Sequence, residues 1–197
     1  MGNFQSSANA FGLKSVNVSC NGLNNGLAFI CANPNLVGIS SITDNVTITW
    51  KDGDGNIIQG PRMFTAAPEE DDSDLVMNLS PGNYSVEWFT NLMTEPVIEN
   101  FVITEPPAMC VDVVVKGPTK AVAKVKNGDK PLRYKWRNCE GCLISTNSVF
   151  KESGPGVFTL EVIDANGCKG FKCFEMKNWL PQKSKKLKSK KLCKVCN

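Results

Sequence analysis

The sequence predicts an all-β chain of two tandem β-sandwiches, with a flexible arm before them and a basic tail after them. Three observations carry this prediction: short runs in which apolar and polar residues alternate, turn signals between the runs, and an order of motifs that occurs twice. No segment has the apolar periodicity of an amphipathic helix. We place the arm at residues 1–14, the sandwiches at 15–107 and 108–176, and the tail at 177–197.

The alternating runs identify the strands and their buried faces. Residues 45–50, 84–88, 132–137 and 158–162 each alternate apolar and polar side chains, and this period of two gives one apolar sheet face. We therefore expect four aromatic side chains to lie in cores: Trp50, Tyr84, Trp136 and Phe158. Turn signals separate the runs at residues 24–26, 52–55, 81–83, 127–129 and 166–167.

The motifs repeat between the two halves. A strand that ends in Trp50 or Trp136 is followed by a loop, and then by a glycine turn and an aromatic strand at 79–87 or 153–161. The first half has a longer connection at about 60–73, which ends in the acidic run 69–72. That run is predicted to be a solvated insertion or, alternatively, a docking or cation-binding loop. The halves meet at Glu105-Pro106-Pro107, where two prolines stop a strand.

Three motifs of the first half resemble one SprB-type repeat, an immunoglobulin-like module related in shape to polycystic-kidney-disease-type domains. They are Val-Ser-Cys-Asn-Gly-x-x-Asn-Gly at 18–26, Leu-Ser-Pro-Gly-Asn-Tyr-Ser-Val at 79–86 and Val-Ile-Thr-Glu-Pro-Pro at 102–107. The second half resembles the same module at 134–136, 156–162 and 164–168, although it lacks the Cys-x-Gly opening. The first half lacks the closing Asp-x-Asn-Gly-Cys. The resemblance implies immunoglobulin-like sandwiches and a scaffold or adhesive module.

Composition argues against catalysis. The 197 residues include no histidine, which removes the commonest general base and the commonest metal ligand. The sequence also has no phosphate loop, dinucleotide fingerprint or nucleophile elbow. We therefore predict that the protein is not an enzyme. No stretch of 18 apolar residues and no signal-peptide pattern occurs, so neither a spanning helix nor a secretion signal is expected.

Both ends of the chain carry membrane-binding signals. Met1-Gly2-Asn3-Phe4-Gln5-Ser6 matches the N-myristoylation pattern, with Gly2 as the acylated residue. A single acyl chain anchors weakly, and a basic segment is a suitable second signal. Residues 183–194 of the tail hold seven lysines and no acidic residue, which leaves a net charge of −4 for the rest of the chain: Lys183, Lys185, Lys186, Lys188, Lys190, Lys191 and Lys194. Alternatively, these lysines are a solvated tail or contact nucleic acid phosphates.

The nine cysteines allow several interpretations. Cys110 and Cys168 are candidates for a disulfide that joins the first and last strands of the second sandwich. Cys139, Cys142, Cys168 and Cys173 are candidates for a four-thiolate structural zinc site. The pairs Cys139-x-x-Cys142 and Cys193-x-x-Cys196 could instead share a metal, or the tail pair could be acylated. Alternatively, the thiols could be free and pack as small apolar groups. Apart from this zinc, no cofactor is expected.

These observations favour a non-enzymatic structural protein: a minor capsid or virion-membrane linker of a large DNA virus. Cytosolic acylation and persistent disulfides coexist in such viruses, which have an internal membrane. Its partners would be capsid subunits and that membrane, beneath the capsid shell, with host cytoplasm as the place of assembly. Phe89 and Trp179 are candidate partner anchors. The alternatives are a surface adhesion or carbohydrate-binding module that uses Asp52, Asp54 and residues 69–72 for calcium, and a nucleic-acid-associated protein that uses the lysine tail.

Overall fold

The computed structural model describes residues 11–32, 45–65, 73–90, 93–151 and 154–177. The chain divides between Pro106 and Pro107 into two compact units, which we call unit 1 and unit 2. All regular elements in the described segments are β-strands, and each unit is a two-sheet antiparallel sandwich. The predicted all-β fold class with two β-sandwiches is confirmed. No helix in the described part of the chain is long and apolar enough to cross a membrane.

The described segments of unit 1 contain seven strands. They are β1 (Phe11–Val16), β2 (Gly26–Ala32), β3 (Asn45–Asp52), β4 (Ile57–Thr65), β5 (Ser73–Leu79), β6 (Gly82–Thr90) and β7 (Val97–Ile103). One sheet has the order β1-β2-β5 and the other β4-β3-β6-β7. The predicted connection at 60–73 is partly wrong, because residues 60–65 belong to β4. Gly60-Pro61 argues against a central strand, but β4 is an edge strand, where proline is tolerated.

Unit 2 also contains seven described strands. They are β8 (Cys110–Val115), β9 (Lys120–Lys126), β10 (Arg133–Asn138), β11 (Leu143–Ser145), β12 (Val149–Lys151), β13 (Gly156–Ile163) and β14 (Lys169–Met176). Its sheets have the orders β8-β9-β12 and β11-β10-β13-β14. Subtracting seven from each strand number gives the sheet orders of unit 1. The repeat of motifs in the sequence therefore corresponds to a repeat of topology.

The core of unit 1 is organised around Trp50 and a buried carboxylate. The indole of Trp50 is fully buried and contacts Phe101 edge-on, with ring centroids 5.8 Å apart. Trp50 Nε1 donates a hydrogen bond to Asp74 Oδ2 at 2.7 Å. Asp74 also pairs with Arg62 Nη1 at 3.1 Å and accepts from Gln59 Nε2. The carboxylate is only 2% exposed, so these partners compensate its loss of hydration.

The core of unit 2 uses the equivalent tryptophan without a carboxylate. Trp136 is stacked on Phe150 with ring centroids 5.2 Å apart, and Phe158 and Phe174 complete the aromatic cluster. Trp136 Nε1 donates to the backbone carbonyl of Asn147 at 2.6 Å. Trp50, Trp136 and Phe158 are buried as predicted. Tyr84 is only half-buried, and its hydroxyl donates to the Ser80 carbonyl at 2.9 Å.

Candidate interaction surfaces

The outer surface of the sheet β4-β3-β6-β7 carries exposed apolar side chains. The register places Thr47 between Met63 on β4 and Phe89 on β6. Ile98 on β7 is opposite Glu87 in the next row. We call this surface the apolar face; its exposed apolar residues are Ile57, Met63, Phe89, Ile98 and Val102. Lys51 and Glu87 on the same surface form an ion pair with each other, so the face presents little net charge.

The opposite sheet of unit 1 has a second outer apolar surface. Val16, Leu27 and Met77 lie side by side in one row, and Phe29 and Leu75 are opposite each other in the next. Leu27 and Phe29 are half-buried, whereas Val16, Leu75 and Met77 are exposed. Of the 13 large apolar side chains that are exposed in the described segments, ten belong to unit 1 and three to unit 2. Among the described residues, exposed large apolar side chains are therefore concentrated in unit 1.

Charge is also divided between the units. Residues 1–106 contain 3 basic and 12 acidic side chains, a net charge of −9. Residues 107–197 contain 19 basic and 7 acidic side chains, a net charge of +12. The two values add up to the +3 of the whole chain. The basic character is therefore not confined to the tail, because five net positive charges remain in residues 107–182.

The outer surface of the sheet β11-β10-β13-β14 shows part of this charge. Arg133, Lys135 and Arg137 occupy alternate positions of β10, and Lys169 lies in the row of Arg133. Phe171 lies in the row of Lys135 and is 61% exposed. We call this surface, with these five residues, the basic face. It differs from the apolar face of unit 1 although both lie on equivalent sheets of the two sandwiches.

One hairpin turn occurs three times and accounts for several candidate site residues. In residues 52–56, Asp52 Oδ1 accepts from the backbone N–H of Asp54 and Asn56 at 3.0 and 2.8 Å. Residues 138–142 and 164–168 repeat the pattern, with Asn138 and Asp164 as the accepting side chains. The fourth residue of each turn is a glycine with φ near +85°, a left-handed conformation that favours glycine.

The turn explains the state of Asp52. The Asn56 side chain donates to Asp52 Oδ2 at 3.0 Å, and this bond, with those from backbone N–H groups, lowers the pKa of Asp52. The carboxylate of Asp52 therefore already accepts hydrogen bonds from its own loop. No group of three or more His, Cys, Asp or Glu side chains in the described segments is arranged to hold a metal ion. The calcium alternative thus has no supporting geometry at Asp52 and Asp54, and its acidic loop 69–72 lies outside the described residues.

A shallow, open depression of about 390 Å³ adjoins this turn. Its volume is near the lower end of the range for small-molecule sites. It is lined by Asp52, Gly53, Gly55, Asn83, Tyr84, Ser85, Asn100, Phe101 and Val102. Neither a nucleophile with an adjacent base nor a paired set of carboxylates occurs among these residues, so the depression offers no catalytic arrangement.

The structure corrects both cysteine predictions. Cys110 has a free thiol on the exposed side of β8, whereas the alternation of that strand directs Val111 towards Gly170. The predicted Cys110–Cys168 disulfide is therefore not formed, although Cys168 is disulfide-bonded. The predicted zinc site is not formed either. Cys168 and Cys173 are in disulfides, while Cys139 and Cys142 are exposed in the turn between β10 and β11.

Other predicted site residues lie outside the described residues. They are Gly2, the seven tail lysines, Trp179, Cys193 and Cys196. Phe89 is exposed on the apolar face, so this candidate anchor is accessible. Sequence reasoning missed the basic face, although the alternation of Arg133, Lys135 and Arg137 with apolar residues was visible. The signal that could have found it is the charge of one strand face rather than the charge of a contiguous run.

Comparison with known proteins identifies no family. No protein-family model matches the chain, and no curated protein matches it. Among solved structures, the three N-terminal domains of the bacteriophage RB49 highly immunogenic outer capsid protein (Hoc) match with TM-score 0.48 and 17% identity, over 84% of this chain and 58% of that one. A C-terminal 282-residue fragment of intimin, in complex with the intimin-binding domain of its receptor Tir, matches with TM-score 0.36 and 14% identity, over 85% of this chain and 64% of that one.

The N-terminal eight Ig domains of Down syndrome cell adhesion molecule (DSCAM) match with TM-score 0.35 and 12% identity, over 88% of this chain and 31% of that one. The chain thus spans less than two thirds of the length of each of these three structures. At such identities and scores, the likeness gives no information about function.

Proposed function

We propose that the chain is a non-enzymatic structural interaction protein, in which the apolar face of unit 1 binds a folded protein partner. The observation that carries this proposal is that five of the 13 large apolar side chains exposed in the described segments lie on this one outer surface. Single exposed apolar residues are ordinary, but several that share one sheet surface favour an interaction site. Tandem immunoglobulin-like sandwiches are compatible with a structural or adhesive role.

The composition of the apolar face suits a protein rather than a membrane or a polyanion. Aromatic residues and methionine are enriched in the centres of protein interfaces, and Phe89 and Met63 lie in one row of this face. Burial of one such side chain contributes about 1.5–3 kcal/mol. The five apolar residues of the face are 37–70% exposed, so a partner that covers them removes further apolar surface from water. The Lys51–Glu87 pair adds polar contacts without net charge.

Site-specific photo-crosslinking in the native source tests this proposal. A benzophenone amino acid replaces Phe89, which is exposed on the apolar face. The matched control carries it at Lys124, which is exposed on the three-stranded sheet of unit 2. We expect an adduct of one defined mass from position 89 and none from position 124. The adduct should disappear when Ile98→Asp is added, because an aspartate charge on the face opposes desolvation.

Two outcomes of the crosslinking experiment contradict the proposal. One is the failure of position 89 to give more adduct than position 124. The other is an adduct that persists in Ile98→Asp at its original yield, provided that circular dichroism shows the variant to be folded. An adduct of twice the chain mass supports the proposal and identifies the partner as a second copy of the chain.

The finer form of the proposal places the chain in a virion. It would be a minor capsid protein of a large DNA virus that links capsid subunits to an internal membrane through acylated Gly2 and the tail lysines. Two sequence features support it: the myristoylation pattern at Met1–Ser6 and the seven lysines at 183–194. The test is the intact mass of the protein from its natural source. Addition of a myristoyl group to Gly2 is the expected result, and an unmodified amino terminus contradicts the membrane link.

A further inference from the structure

The basic face of unit 2 has cations at regular intervals on an open sheet surface. Arg133, Lys135 and Arg137 lie on one side of β10, and side chains two positions apart on a strand are separated by about 6.6 Å. Lys169 lies two strands away from Arg133, in the same row. Adjacent strands are about 4.8 Å apart, so the row is roughly 10 Å wide. These side chains therefore form a two-dimensional set of positive charges.

Two of these four cations are available for an external ligand. Lys135 Nζ lies 3.8 Å from Glu161, and Arg137 Nη1 donates to the Gly141 carbonyl at 3.0 Å. Among the residues that the structure describes, neither Arg133 nor Lys169 forms an ion pair with an acidic side chain. Between them lies the apolar residue Ile163, so no acidic side chain separates the two. Their charge is thus uncompensated within the sheet surface.

An exposed aromatic ring lies on the same surface. Phe171 is two positions from Lys169 on β14, and 61% of it is exposed. In its row it is opposite Glu161, which pairs with Lys135 on the far side. The core of unit 2 buries the rings of Trp136, Phe150 and Phe158, and the half-buried Phe174 packs against them, so Phe171 is not needed there. A solvent-exposed ring beside cations is the arrangement with which proteins bind unpaired bases, since the ring stacks on a base while cations contact phosphates.

We propose that the basic face of unit 2 binds single-stranded nucleic acid. Arg133 and Lys169 contact phosphates, and Phe171 stacks on a base. Guanidinium groups bind phosphate oxygens through two parallel hydrogen bonds, which suits Arg133. A single strand fits better than a duplex, because the bases of a duplex are already stacked on each other and do not offer a free ring surface to Phe171. The ring also favours nucleic acid over an acidic protein.

The position of the tail supports this assignment. The seven tail lysines follow β14, the strand that carries Lys169 and Phe171, in the chain order. Residues 107–197 have a net charge of +12, which attracts polyanions. The lysine-rich segment 183–194 contains no aromatic residue, so it has no ring to stack on a base. This site is independent of the apolar face, and either proposal can fail without the other.

Fluorescence anisotropy with labelled dT20 tests the site on the full-length chain across a series of salt concentrations. The double variant Arg133→Glu/Lys169→Glu should bind at least tenfold more weakly. The slope of log binding constant against log salt concentration should also become about 1.4 smaller in magnitude, since each phosphate contact in a single strand contributes about 0.7. Phe171→Ala should weaken binding about 5- to 100-fold with an unchanged slope, because stacking releases no counterions. All variants retain the tail, so its contribution is constant.

The matched control is Lys120→Glu/Lys151→Glu, which reverses two exposed charges that are opposite each other on the three-stranded sheet of unit 2. We expect less than a threefold effect. If this control loses as much affinity for dT20, binding depends on the overall charge of the unit, and the proposed site is overturned. Full affinity in Phe171→Ala, or competition by polyglutamate equal to that of dT20, also overturns it, because the face then binds any acidic polymer. Unchanged binding by Arg133→Glu/Lys169→Glu assigns binding to the tail alone.

Discussion

Replacement of Asp74 with alanine tests the buried carboxylate on which the core of unit 1 depends. The Asp74 side chain accepts the indole N–H of Trp50 at 2.7 Å and pairs with Arg62 at 3.1 Å. Both Asp74 and Trp50 are almost completely buried. In Asp74→Ala the Trp50 N–H remains in the core without its acceptor, and no water replaces the lost bond at low cost. We therefore expect a large loss of stability that is confined to unit 1.

The magnitude follows from the environment of each partner. A hydrogen bond from a buried donor to a charged acceptor contributes about 1.5–3 kcal/mol, and this applies to Trp50. The Arg62 side chain is 54% exposed, so its pair with Asp74 is screened and adds at most about 1 kcal/mol. Gln59 keeps its bond to the Leu75 carbonyl at 2.9 Å and loses little. The expected decrease in the free energy of unfolding is therefore about 3 kcal/mol.

Hydrogen exchange of the full-length chain in increasing urea, measured by mass spectrometry, gives the stability of each unit separately. Peptides from β3 report on unit 1 and peptides from β10 on unit 2. Asp74→Asn keeps an acceptor for Trp50 and should lose roughly half as much stability as Asp74→Ala. Asp54→Ala is the control, because Asp54 is exposed in a turn and its loss should change stability by less than about 0.5 kcal/mol.

Two results would refute this reasoning about Asp74. A decrease below about 1 kcal/mol in Asp74→Ala means that Trp50 finds another acceptor, and that the buried network contributes little. An equal shift of peptides from β3 and β10 means that the effect is not local to unit 1. A measured loss of about 3 kcal/mol corresponds to a melting temperature lowered by roughly 12–24 °C for a unit of this size.

Two further predictions concern a close packing contact and an acidic group. An added Cβ at Gly170 would lie 2.4 Å from Val111 Cγ2, so Gly170→Ala should destabilise unit 2 by about 1–3 kcal/mol. Gly154 is the control, because a Cβ there would meet no atom within 4 Å and Gly154→Ala should not destabilise the unit. Urea unfolding measures the free energy of unfolding of both variants. The Asn56 bond lowers the folded pKa of Asp52 below 3.8. The contribution of ionised Asp52 to the stability of the fold is therefore complete above that pH and is lost as the pH falls below it. The melting temperatures of wild type and Asp52→Asn should converge as pH falls below 3.8.

The fold could be predicted because its signals are local. Alternation at 45–50 and 132–137 identifies β3 and β10, and the period of two alone decides that Trp50 and Trp136 are buried. The edge strand β4 was harder to predict, since Gly60-Pro61 is a breaker pattern and only the position at a sheet edge makes it compatible with pairing. Local pattern therefore predicts central strands better than edge strands.

The surfaces and the cysteine states could be predicted only in part. The charge of one strand face is visible in the sequence, but its neighbours on the surface depend on register between distant strands. Met63 and Phe89 are 26 positions apart in sequence and become neighbours only through Thr47. The same holds for Arg133 and Lys169, which Ile163 brings into one row. Sequence spacing suggested that Cys110 and Cys168 are close, but the face of β8 on which Cys110 lies keeps its thiol outside. Pairing geometry, not composition, decides these features.

Oxidation of two methionines tests the central claim most directly. Met63 and Met77 are exposed on the two opposite outer surfaces of unit 1, at 70% and 59%. Hydroxyl-radical footprinting compares the free chain with the same chain in its native assembly, and Met77, on the surface opposite the apolar face, is the internal reference. An interaction role for the apolar face predicts that Met63 is oxidised several-fold more slowly in the assembly. Equal oxidation of Met63 in both states would contradict the claim that a protein partner covers this face.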